Sequence, residues 1–131
     1  MRRHVAIISN KILLDALLSG EKTVEARLSE SKIAPFGLVG HGDEILLKLT
    51  GGLVYGQISA DNVLFYDHLD GETIGKLRKE YGHDMMVGDE YWQAHSSARY
   101  ATIIFVSNPR RYLSPIKIEK KDRRPWIVLE R

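Results

Sequence analysis

The sequence predicts an α+β fold, a mixed and partly closed β-barrel of about six strands with two or three short helices. Short runs of β-branched and apolar residues recur along its 131 residues and are separated by glycine-rich breaks, which is typical of strands joined by tight turns. Between them stand runs with helical periodicity and polar outer faces. The length suits one core, so we expect residues 1–131 to form a single domain with a basic C-terminal segment at 109–131.

Seven segments have strand patterns and three have helix patterns. The apolar run at 99–106 is nearly continuous, which indicates a central strand covered on both faces. Asn108-Pro109 is expected to end that strand. Gly51-Gly52 is expected to form the turn of a hairpin. The predicted strands are 4–9, 22–28, 44–49, 53–59, 99–106, 112–118 and 125–129, and the predicted helices are 10–19, 72–81 and 89–97.

Residues 20–27, Gly-Glu-Lys-Thr-Val-Glu-Ala-Arg, place charged side chains directly behind the first helix. In a strand that starts at Lys22, alternation would put Thr23, Glu25 and Arg27 on one face and Lys22 on the other. One interpretation is a solvated face with an ion pair worth about 0–1 kcal/mol, the more common arrangement on spacing alone. The other is a cleft wall that presents a cation, a carboxylate and a hydroxyl to a polar ligand.

This octapeptide resembles the G-x-K-x-x-E-x-R motif of the ASCH domain, a member of the PUA-like superfamily, and all four motif positions match. The apolar helix before it, the Gly42-Asp43 turn before the next strand and the tract at 54–58 resemble elements of that family in the same order. The resemblance extends over roughly residues 4–107. It implies a PUA-like barrel, in agreement with the strand pattern.

The resemblance implies binding of RNA or a modified nucleotide in a cleft formed by the first helix, the 22–28 strand and the long loop at 29–42. Lys22 and Arg27 would hold phosphates or base edges, while Glu25 would accept from a base amino group or orient Arg27. The expected ligand-binding residues are Lys22, Thr23, Glu25, Arg27, His41 and Arg99.

The alternative is a small hydrolase acting on nucleosides or RNA, with Lys22 and Glu25 as the catalytic pair. Bacterial ASCH amidohydrolases, which remove the acetyl group of N4-acetylcytidine, resemble the chain at Lys22, their catalytic lysine. Their nucleophilic threonine falls at Glu25 here, and Thr23 is the nearby hydroxyl. Other family members are ribonucleases, although this sequence contains no obvious cluster of metal-binding carboxylates. An interaction module of a translation or transcription complex is a third class.

Charge is unevenly distributed along the chain. Its net value is +2, but residues 1–108 hold 11 Lys/Arg against 14 Asp/Glu, whereas residues 109–131 hold 8 against 3. A basic terminus indicates either contact with a nucleic-acid backbone or a solvated tail. The expected nucleic-acid contacts are Lys120, Lys121, Arg123 and Arg124.

Composition excludes several classes of site. The chain has no cysteine, which excludes disulfides, thiol catalysis and cysteine-ligated zinc, and its five histidines have no metal-binding spacing. We therefore expect no metal and no cofactor. No signal peptide or membrane-length apolar run is evident, so we expect a cytoplasmic protein with no membrane contact. The oligomeric state is left open.

Overall fold

Six strands form one curled, half-barrel sheet with three helices packed on it, which confirms the predicted α+β, PUA-like class. The structure is a computed structural model and describes residues 1–119 and 123–129. The strands are β1 (Arg3–Ile8), β2 (Val24–Ser29), β3 (Glu44–Leu49), β4 (Val54–Tyr66), β5 (Tyr100–Ile116) and β6 (Trp126–Leu129). The helices are α1 (Lys11–Ser19), α2 (Gly71–Met85) and α3 (Asp89–Ala94).

The strands lie in the order β2-β5-β4-β3-β1-β6. The β1–β3 pair is parallel, and the other neighbouring pairs are antiparallel. The predicted hairpin is present, because β3 pairs with β4 across a turn closed by the Gly52 N–H and the Leu49 carbonyl at 2.8 Å. The two edge strands are β2, which follows the charged octapeptide, and β6, which ends the described chain.

Both faces of the sheet are covered along β5, as the sequence predicted. Ile104 packs with Leu14 and Leu17 of α1, whereas Ile103 packs with residues from α2 and α3, and both isoleucines are fully buried. Successive side chains of a strand point to opposite faces, so these two neighbours reach two different apolar clusters. α1 therefore lies on one face of the sheet and α2 with α3 on the other.

Gly56 allows β4 to approach β5 and α1 closely. A Cβ atom at this position would lie 2.4 Å from the Arg110 carbonyl oxygen and 2.6 Å from Leu18 Cδ2. Such distances exclude any side chain unless the backbone shifts. Close packing therefore requires a glycine at position 56, within the predicted strand tract at 54–58.

The prediction that Asn108-Pro109 ends a strand is wrong. β5 continues through these residues to Ile116, so the separately predicted strand at 112–118 is its second half. The register moves by two residues in β4, Gln57 to Ser59, and by three in β5, Arg110 to Ser107. Asn108 has a positive φ of 48° within this bulge. A bulge accommodates a proline that cannot donate to the ladder, and the strand bends without ending.

Several predicted boundaries also move. β2 begins at Val24 and not at 22, and β4 extends to Tyr66 through further bulges. α2 continues past Gly82 to Met85, which is buried, because packing outweighs the cost of about 1 kcal/mol for a helical glycine. α3 stops at Ala94, earlier than predicted. Within the described residues, no helix has the length and apolarity needed to cross a membrane.

Candidate functional site

A cleft of about 790 Å³ opens beside the charged octapeptide. Its walls come from the end of β1 and the start of α1, from β2, from the end of β3 and the turn after it, from the α2–α3 junction and from the residues before β6. The long loop at 29–42, which was predicted to form its rim, does not line it. The lining residues used below are Leu13, Leu17, Lys22, Glu25, Arg27, Lys48, Thr50, Gly51, Met85, Val87, Tyr91, His95, Arg123 and Pro125.

Lys22 is a buried cation in the wall of this cleft, with 3% of its surface exposed. Its Nζ donates to the carbonyl oxygen of Met85, the last residue of α2, and lies 3.4 Å from Oε1 of Glu25. The last carbonyls of a helix lack intrahelical donors and form the negative end of the helix dipole, so they suit an ammonium group. Burial lowers the pKa of Lys22 below the ordinary lysine value, and attraction to Glu25 offsets only part of this effect.

Glu25 lies between two cations and is itself buried. Its Oε2 accepts from Nε and Nη2 of Arg27 at 3.2 and 3.0 Å, while Oε1 faces Lys22. Lys22 precedes the first residue of β2, so strand alternation does not govern its side chain. This corrects the expectation that Lys22 and Glu25 point to opposite faces.

Arg27 connects the two edges of the sheet. Its Nη2 donates to the Ile7 carbonyl at 3.1 Å and its Nη1 to the Pro125 carbonyl at 3.3 Å. Together with the two bonds to Glu25, four of its five N–H groups are therefore satisfied within the protein. Its guanidinium also lies 5.1 Å from the ring centroid of Trp126 in β6.

A buried polar network holds that tryptophan ring. Trp126 Nε1–H donates to Nδ1 of His4 at 3.0 Å, and His4 Nε2 donates to Asp43 at 2.8 Å. Asp43 also accepts from the backbone N–H groups of Arg2 and Gly40. Burial alone would raise the pKa of Asp43, but these hydrogen bonds outweigh it and hold the pKa below its ordinary value. The floor beneath Arg27 is thus a fixed surface.

Tyr91 and His95 contribute an aromatic surface to the same cleft. Their rings stack with centroids 4.2 Å apart and planes inclined by 32°. His95 Nδ1 lies 2.8 Å from the Tyr91 carbonyl, which only accepts, so Nδ1 carries the proton and Nε2 of the neutral ring is an acceptor. Burial first, and then the Glu25 charge, raise the pKa of Tyr91 well above its ordinary value.

Comparison with known structures decides the fold. The chain is similar to crystal structures of the ASCH protein from Zymomonas mobilis, in its unmutated form and as two point mutants, with TM-scores of 0.73, 0.76 and 0.75. These alignments cover 98–99% of this chain and 87–91% of the other, at 16–17% sequence identity. The chain has the ASCH domain fold. Neither a family model nor a curated protein sequence matches it.

Within this ASCH fold, only part of the predicted ligand-binding set comes together. Lys22, Glu25 and Arg27 share the cleft. Thr23 is exposed outside it, and so are His41, which contacts the Asp61 carbonyl, and Arg99, whose guanidinium donates to the Leu69 carbonyl at 3.1 Å.

The predicted nucleic-acid contacts are divided in a similar way. Arg123 lines the cleft and is exposed, and Arg124 is exposed in the same segment. Lys120 and Lys121 lie outside the described residues. No group of three or more potential metal ligands occurs among residues 1–119 and 123–129.

Sequence reasoning missed Tyr91 and His95 as members of the site. Neither residue was among the expected ligand-binding residues, and His95 was counted only among the five histidines without metal-binding spacing. Their separation of four residues on a helix places both side chains on one face, which was the available signal. The sequence does not show that this face lines the same cleft as Lys22.

Proposed function

We propose that the cleft of this ASCH fold binds RNA or a modified nucleotide and encloses its base. The observation that carries the proposal is the buried set of Lys22, Glu25 and Arg27 in the wall of a cleft of about 790 Å³. Ligand sites commonly have volumes of about 300–1,000 Å³ and combine apolar walls with a few fixed polar groups. A nucleobase has the matching chemistry, with two apolar faces and a polar edge.

The polar groups support recognition of a base edge. Lys22 uses one N–H on Met85 and a second faces Glu25, which leaves a third donor. Oε1 of Glu25 retains one lone pair as a further acceptor, whereas both lone pairs of Oε2 are taken by Arg27. A donor beside an acceptor complements a base edge that carries a carbonyl oxygen next to an amino group. Arg27 serves this arrangement indirectly, because its bonds to Glu25 hold the carboxylate in place.

The walls support stacking of the base. Tyr91 and His95 form an aromatic surface on one side, and Leu13 and Leu17 of α1 form an apolar surface on the other. Stacking of a base on an aromatic side chain is worth about 1–3 kcal/mol and tolerates different bases. His95 Nε2 adds an acceptor at the same wall.

Mass spectrometry of nucleosides and nucleotides that copurify with the protein identifies the ligand class. Fluorescence anisotropy with single-stranded RNA then measures affinity for the wild type, for Lys22→Met and for Lys79→Met, an exposed lysine of α2 that serves as the control. We expect Lys22→Met to weaken binding about tenfold or more, the usual effect of a lost charged hydrogen bond. Lys79→Met should bind as the wild type does. Equal affinities of all three proteins would contradict the proposal.

The basic C-terminal segment is proposed to follow the RNA backbone outside the cleft. Each phosphate of a single strand that is neutralised contributes about −0.7 to the slope of log affinity against log salt. Neutral residues at 120, 121, 123 and 124 should therefore flatten this slope. An unchanged slope would show that these charges only solvate the terminus.

Hydrolysis is the second candidate, and the lowered pKa of Lys22 favours it because a larger fraction of the amine is then unprotonated and able to accept a proton at neutral pH. The amidohydrolase relatives have their nucleophilic threonine where this chain has Glu25, and Thr23 is exposed outside the cleft. We therefore expect no release of acetate from N4-acetylcytidine by the wild type. Glu25→Thr restores the hydroxyl, and deacetylation by this variant would identify an amidohydrolase scaffold. Turnover by the unaltered protein would overturn the preference for binding.

A further inference from the structure

Lys48, at the end of β3, is a second buried lysine. Only 7% of its surface is exposed, and its Nζ donates to the Leu49 carbonyl at 3.3 Å. Within residues 1–119 and 123–129, no ion pair involves it. Lys22 is buried more deeply, with 3% of its surface exposed, and has Glu25 as a partner. Because burial of a cation is costly, an anion from a ligand would stabilise Lys48.

The position of Lys48 connects two cavities. It lines both the main cleft and an adjoining groove of about 470 Å³. The ladder between β3 and β4 is irregular at this point, since Leu47 pairs with Gly56 and Lys48 with Val54. A bulge of this kind redirects the neighbouring side chains. The groove also contains Lys117, a second cation, and one carboxylate, that of Glu119.

The adjacent turn adds one neutral donor. Gly52 N–H donates to the Leu49 carbonyl, and Gly51 has a φ of 68°, as in a type II turn. The central N–H of that turn, at Gly51, has no acceptor among the described residues, and Gly51 lines both cavities. Thr50 lines the main cleft beside it. An ammonium and a free backbone N–H together match the acceptor oxygens of a phosphate, whereas the Thr50 hydroxyl already donates to the Ile8 carbonyl at 3.4 Å.

We propose that the junction formed by Lys48 and the Gly51 N–H binds a phosphate group. If the cleft holds a base, as proposed above, the ligand is then a nucleoside phosphate or a phosphodiester strand and not a free nucleoside. The phosphate site itself is independent of that premise, because Lys48 and the turn form it without Lys22 or Glu25. Lysine binds phosphate as a compact point charge, which suits a site with a single buried ammonium.

Titration with inorganic phosphate at constant ionic strength tests the site directly. In nitrogen-15 correlation spectra, the amide signals of Gly51 and Gly52 should shift and saturate. Lys48→Met should weaken this binding about tenfold or more, whereas Lys48→Arg should retain much of it. Lys11→Met, at an exposed lysine paired with Asp15, should leave it unchanged. Absence of saturable shifts in the wild type, or equal affinity in Lys48→Met, would overturn the proposal.

Two further titrations distinguish the sources of phosphate. Cytidine and cytidine 5′-monophosphate are compared on the wild type and on Lys48→Met. Tighter binding of the monophosphate, lost in Lys48→Met but not in Lys11→Met, would support a nucleotide ligand. Equal binding of the two would refute the link between phosphate site and nucleotide. If phosphate binds at Gly51 while neither compound enters the cleft, the phosphate site stands and the base-binding proposal fails.

Discussion

Three side chains of one short segment, Lys22, Glu25 and Arg27, show what can be predicted at the scale of residues. The sequence marked all three as candidate ligand-binding residues, but strand alternation was expected to separate Lys22 from Glu25, whereas Glu25 lies between Lys22 and Arg27. It did not predict that Arg27 uses four of its N–H groups on protein acceptors, two of them carbonyls distant in sequence. Those partners come from β1 and from the residues before β6, so no local pattern contains them. Lys48 was overlooked for the same reason, since isolated lysines are normally exposed.

The pH dependence of stability reports on Lys22. Its native pKa lies below its ordinary value of 10.5, so the unfolded chain binds more protons between those two values. The cost of burying this charge is complete below the native pKa and disappears as the pH rises toward 10.5. We expect the free energy of unfolding of the wild type, relative to Lys22→Met, to increase through that window. Urea titrations at several pH values measure it, and Tyr91, present in both proteins, cancels in the comparison. A constant difference would contradict the assigned burial.

At the scale of elements, the sequence predicted the presence of strands and helices better than the residues at which they end. Both halves of β5 were predicted as strands. Pro109 was interpreted as the end of the first, whereas it lies in a bulge within one continuous strand. Gly82 was likewise taken as the end of α2, although burial of Met85 extends the helix. In each case tertiary packing overrides a local preference of about 1 kcal/mol. The strand pattern, by contrast, follows from alternation and needed no distant contact.

Gly56→Ala tests the close approach of β4, β5 and α1. Its Cβ would meet backbone and Leu18 atoms at less than 3.0 Å, so we expect a loss of about 3 kcal/mol in the free energy of unfolding. Gly75→Ala is the matched control, because Gly75 is exposed in α2 with open space around it. That change should stabilise the protein by about 0.5–1 kcal/mol. Similar effects of the two substitutions would show that the packing is described wrongly.

At the scale of the whole molecule, Arg27 closes the half-barrel and builds the cleft by the same contacts. Arg27 belongs to one edge strand, β2. Its distant carbonyl acceptors are Ile7 in β1 and Pro125 just before β6, and the Trp126 ring belongs to β6, the other edge strand. The sequence predicted a partly closed barrel but could not show what joins its edges. Closure depends on backbone carbonyls, which every residue has and no sequence pattern marks.

Arg27→Lys tests this closure while retaining the charge beside Glu25. Lysine lacks the planar fork, so the contacts with Ile7, Pro125 and the Trp126 ring are lost together. We expect a loss of about 2 kcal/mol in the free energy of unfolding and faster hydrogen exchange of the β6 amides. Arg78→Lys, which alters an exposed pair with Asp89, should change stability by less than about 0.5 kcal/mol and leave β6 unaffected. Unchanged exchange of β6 in Arg27→Lys would rule out the closing role.

The central claim is that one cleft, assembled from distant segments, binds RNA or a nucleotide. Mapping of nitrogen-15 amide shifts during titration with a short single-stranded RNA tests it most directly. We expect coincident, saturable shifts at Leu13 of α1, Glu25 of β2 and Tyr91 with His95 at α3, and in Lys22→Met these shifts should saturate only at about tenfold or more higher RNA concentration. Shifts confined to the exposed outer half of β5, around Leu113, with none at these positions, would contradict it.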